Sequence, residues 1–131
     1  EGAETGSRRA LNAARAMAME LDMMNRNLAS DLSSPLKIGI GIHIGQVIVG
    51  QMGYGNATSV TAIGDPVNTA SRLEALTKEY SSQLIFSDRV ATRAAGAFST
   101  LRHESVEIRG RMEPLGIYIV EDARDLQEFS V

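Results

Sequence analysis

Cysteine is absent from this 131-residue chain, which excludes disulfides, thiolate metal sites and cysteine nucleophiles together. The absence suits a reducing compartment, of which the cytoplasm is the simplest. No apolar stretch approaches the roughly 20 residues that cross a bilayer, and the opening EGAETGSRRA lacks signal-peptide character. If a longer parent protein is membrane-bound, its anchor lies elsewhere. Long basic runs are missing too: 13 Lys and Arg against 16 Asp and Glu leave a net charge of -3. Neither a nucleic-acid backbone nor an anionic membrane surface is therefore an expected partner. The two histidines, His43 and His103, form no HExxH ligand pair. There is no GxSxG nucleophile elbow.

What the chain does have is 44% apolar and 22% charged residues, the balance of one compact domain. Leu11, Ala14, Met17, Leu21, Met24 and Leu28 recur at three- and four-residue steps and predict an amphipathic helix from Arg8 to Leu28, with Ser7 as its cap. After the loop Ser30 to Pro35, the run LKIGIGIHIGQVIVG alternates as one long strand. Ile38, Ile40, Ile42 and Ile44 line one face; Gly39, Gly41, His43 and Gly45 line the other. A bare glycine face implies the close approach of a ligand or of another backbone, and the pattern leaves both open.

Turn residues from Gln51 to Ala57 and β-branched residues from Thr58 to Ile63 predict a hairpin that projects as an arm. Asp65-Pro66 then reads as the capped start of a helix whose apolar stripe is Val67, Ala70, Leu73, Leu76 and Tyr80. Beyond it come a strand at Gln83 to Ser87, a short helix at Asp88 to Ala95 and two strands, Ser99 to Arg109 and Leu115 to Val120. A turn at Gly110 to Pro114 joins these last two, and a polar tail starts at Glu121. The element order predicts an α+β sandwich.

One constellation stands out for chemistry. Asn68 and Arg72 lie four residues apart on the helix that follows the arm, off its apolar stripe, so an amide and a guanidinium face the same way. A solvated helix face with an ordinary polar pair has the same spacing.

The segments GIGIHIGQVIVGQMG and TAIGDPVNTASRLEALTKEY, followed by VEIRGRMEPLGIYIV, resemble in order the signature of class III adenylate and guanylate cyclase catalytic domains. The resemblance covers most of the chain and implies a ferredoxin-like cyclase fold. It also implies a head-to-tail pair of domains that share each active site, with ATP as substrate and Mg²⁺ or Mn²⁺ as cofactor. By resemblance, Asn68 orients the ribose and Arg72 stabilises charge on the α-phosphate. Thr61 falls where the family reads the base, and threonine there favours adenine. Arg109 falls near the family's triphosphate-binding basic residue, where lysine is commoner, with Arg111 just beyond. Asp65 is explained by capping and His43 by a structural role.

The departure from the family lies upstream. Its two metal-binding aspartates sit on elements that precede the first helix here, so residues 1–131 are expected to be a partial catalytic domain without the metal ligands, inactive alone. A guanylate cyclase and a non-catalytic, cyclase-like regulatory or dimerisation domain remain as alternatives.

Overall fold

A computed structural model describes residues 2–131 apart from the side chain of Met52. Glu1, the first residue of the expected partial domain, lies outside them. The chain runs α1 (Ala3–Asn27), β1 (Ile40–Ile42), β2 (Ile48–Tyr54), β3 (Ala57–Ile63), α2 (Asp65–Glu79), β4 (Leu84–Ser87), α3 (Asp88–Ala94), β5 (Arg102–Val106) and β6 (Leu115–Val120), then a 3-10 turn at Ala123–Asp125. Four strands form one sheet in the order β1-β4-β6-β5, with β1 parallel to β4 and the other pairs antiparallel. β2 and β3 form a separate antiparallel ribbon, with Ile48 opposite Ile63 and Gly50 opposite Thr61.

Alternation along the sheet strands divides the apolar residues between two cores. Leu84 and Phe86 of β4 and Val120 of β6 face α1 and α3, where they meet Leu11, Ala14, Ala18, Val90 and Ala94. Ile85 of β4 and Leu115, Ile117 and Ile119 of β6 face α2 and pack with its Leu73. The result is the expected α+β sandwich, helices on both faces of one sheet. Phe86, Phe98, Phe129 and Tyr118 gather in the first core: Phe86 stacks on Tyr118 at 5.3 Å, and Phe98 touches Phe86 edge-on at 5.2 Å.

Several local expectations change. The long alternating run is not one strand: β1 ends at Ile42, and β2 begins at Ile48 in the other sheet. The break falls where Gly45 meets the ring of Pro66. α1 starts earlier than its pattern implies, so Ser7 is an interior, buried residue instead of a cap. Its inward face is Ser7, Leu11, Ala14, Ala18 and Leu21, while Met17 and Met24 are about half exposed. The tail after Glu121 is not simply polar. Ala123, Leu126 and Phe129 are buried, and Asn12 of α1 clamps Phe129 by accepting from its amide and donating to its carbonyl, both at 2.9 Å.

Candidate active site

The glycine face of the broken strand decides where α2 sits. A Cβ at Gly39 would strike Thr77, at Gly41 the Ala70 carbonyl and the Glu74 amide, and at Gly45 the ring of Pro66. Of the two occupants that a bare face allows, the structure chooses another part of the chain: α2 lies directly on it, with its backbone against Gly41 and the side chains of Thr77 and Pro66 against Gly39 and Gly45. Thr69, Leu73 and Thr77 form the buried side of the helix, and Thr77 Oγ1 donates to the Glu74 carbonyl at 2.6 Å.

On this seated helix Asn68 and Arg72 are one turn apart and both exposed. Neither side chain takes a hydrogen bond or ion pair among the described residues. Thr61 is half-buried on β3, near the point where the arm runs into α2 through Gly64, and its hydroxyl lies 3.4 Å from that of Ser59. Arg109 is exposed, without a partner among the described residues.

Asp65 does not cap. Gly64 holds the N-cap position, Asp65 and Pro66 are already helical, and the Asp65 carboxylate receives Nη1 of Arg111 at 3.3 Å. Sequence reasoning passed over Arg111 because a capping role already explained its partner. No local signal in the sequence marks it, since Asp65 lies 46 residues from Arg111 along the chain. Among the described basic side chains, the structure thus brings Arg111, not Arg109, against the start of α2.

His43 occupies the same neighbourhood, on the α2 side of the sheet, where its Nδ1 lies 2.7 Å from the Ser87 hydroxyl. That hydroxyl is therefore engaged with the ring, and Ser87 caps α3 with its backbone position only. Burial holds His43 below its ordinary pKa; the cations Arg111 and Arg89 add to this and Asp65 opposes it. A neutral imidazole results, a structural hydrogen-bonding group. At the other edge of the sheet, His103 Nε2 lies 2.7 Å from an Asp88 carboxylate oxygen, and its ring is 4.7 Å from that of Tyr118.

The carboxylates do not fit a divalent ion. Asp65 is paired with Arg111 and Asp88 with His103, and no group of three or more His, Asp or Glu among the described residues is placed to hold a metal. What α2 and its surroundings do offer is a set of unengaged donors: an amide, a guanidinium and a second guanidinium on a nearby turn, suited to an anionic ligand with hydroxyl groups.

Known proteins carry the same arrangement of elements. An adenylate cyclase of Anabaena cylindrica is 35% identical over 119 residues, covering 86% of this chain and 24% of that enzyme. The crystal structure of a guanylyl cyclase matches with a TM-score of 0.77 at 26% identity, covering 89% of this chain and 58% of its own. That of the adenylyl cyclase CyaB from P. aeruginosa matches with a TM-score of 0.75 at 25% identity, covering 97% of this chain and 65% of its own. The chain thus spans about a quarter of the first relative and under two-thirds of each structure. The profile of the adenylate and guanylate cyclase catalytic domain matches residues 2–122, and the chain belongs to that family.

Proposed function

We propose that this chain supplies the transition-state side of an ATP-cyclising active site, whose product is cyclic AMP with pyrophosphate. The observation that carries the reading is the pair Asn68 and Arg72, exposed and unengaged on a helix whose opposite side is pressed onto strand backbone. A fixed support with free donors is what a site needs when charge develops on a ligand and reorganisation must be small.

In the reaction, the ribose 3′-oxygen forms a bond to the α-phosphorus and loses its proton. The bond from that phosphorus to the bridging oxygen of the β-phosphate breaks, and pyrophosphate leaves. Negative charge spreads over the α-phosphoryl oxygens, and the Arg72 guanidinium is the group for them. Asn68 holds the ribose so that the 3′-oxygen approaches in line. Arg109 meets the leaving phosphates, and Thr61 meets the adenine edge. The family works with a divalent cation; we take it to be Mg²⁺ or Mn²⁺, held by residues other than those described here.

Two catalytic domains complete each site on this reading. The β2–β3 ribbon supports it: Val49 is 63% and Val60 73% exposed, and the pairing places both on one face, an apolar surface of the kind that a second subunit covers. The adenylate assignment rests on Thr61 and on the Anabaena cylindrica relative.

The test has two arms. Residues 1–131 alone, with ATP and Mn²⁺, should make no cyclic AMP, and sustained production would overturn the claim that the metal side lies elsewhere. The protein with its complete dimeric domain should convert ATP in preference to GTP; the reverse preference would make it a guanylate cyclase, and no turnover of either would make it a non-catalytic module.

A further inference from the structure

The turn that carries Arg109 is held at both ends. Ile108 is buried, and the Arg111 amide donates to its carbonyl at 3.0 Å. Gly110, at its third position, adopts a φ of 91°, as in a type II turn, a conformation that a residue with a Cβ resists. Arg109, at the second position, is left at the exposed tip. Arg111, at the fourth, is turned back: its side chain is only 30% exposed, its Nε is shielded from solvent without a partner, and its Nη1 reaches Asp65 at 3.3 Å. Asp65 is the first residue of α2, on the same rigid helix as Asn68 and Arg72.

We propose that Arg111 is a positioning residue: its ion pair with Asp65 ties the Ile108–Arg111 turn to the start of α2 and so fixes Arg109 relative to Asn68 and Arg72. The inference rests on the nucleotide reading above and adds a residue to it. Asp65 is 66% exposed, so the tie is a weak one, worth at most about a fivefold change in an equilibrium. A weak tie suffices for this task, because a misplacement of about 1 Å in a positioned group can slow a reaction by one to two orders of magnitude.

The test uses the complete protein and four variants: Asp65→Asn, Arg111→Gln, the two combined, and Arg111→Lys. Each of the first two should slow turnover about two- to fivefold with little change in KM, the double variant should be no slower than either single one, and Arg111→Lys should recover most of the loss. Full turnover in Asp65→Asn would overturn the proposal. So would losses that multiply in the double variant, since Arg111 would then act on the nucleotide independently of Asp65. Hydrogen exchange separates the tie from the nucleotide reading. Asp65→Asn should speed exchange of the Arg111 amide about three- to fivefold whether or not the protein turns over ATP, and unchanged exchange would refute the tie.

Discussion

At the residue scale the strongest statement concerns Gly41, because backbone atoms bound the space above it. A methyl group there meets the Ala70 carbonyl and the Glu74 amide, neither of which can move without lifting α2. Gly41→Ala should cost about 1–3 kcal/mol in urea unfolding, whereas a Cβ at Gly50 meets nothing and Gly50→Ala serves as the control. Arg72→Ala should instead leave the unfolding curve in place and lower kcat about 100- to 1000-fold in the complete domain; near-normal turnover would remove Arg72 from the mechanism. The exposure of Asn68 and Arg72 was legible from their place off the apolar stripe. Arg111 was not, because the partner that turns it inward is far away in sequence.

At the scale of elements, the order of helices and strands could be read from periodicity, but the division of one run into two strands and the partners of each could not. The run alternates from Leu36 to Gly45 and passes into the apolar Val47, Ile48 and Val49, yet β1 enters the main sheet and β2 the arm. Period-2 alternation marks extended backbone and is silent about which sheet receives it. The buried tail escaped notice for a related reason: Leu126 and Phe129 are too few to show a period, and their burial depends on a docking surface formed by α1. Phe129→Ala should cost about 3–5 kcal/mol in urea unfolding, since its ring packs against Phe98 at 6.0 Å. For the arm, replacing Val49 and Val60 together by lysine, both exposed on one face of the ribbon, should abolish dimerisation of the complete domain in sedimentation while leaving monomer melting unchanged. A dimer that persists would assign the apolar ribbon another role.

For the whole molecule, His43 links stability to pH. Its pKa is lowered in the folded state, so between that value and the ordinary one of about 6.5 the unfolded chain binds more protons than the folded one. Stability is therefore full above the unfolded pKa, declines as pH falls below about 6.5, and levels off once the folded ring is itself protonated. Melting temperatures from pH 7.5 down to pH 5 should show this decline in the wild type and a shallower one in His43→Gln; parallel curves would refute the assignment. The clamp between Asn12 and Phe129, joined by the contact of Arg8 with the Ser130 carbonyl at 3.4 Å, has a topological meaning as well. Residue 130 is anchored within two turns of residue 2, about 9 Å along the helix. A short Gly-Ser bridge from Val131 to Gly2 could thus close the chain into a ring, and a cut at the exposed Gly55-Asn56 turn would give a circular permutant with every core contact intact.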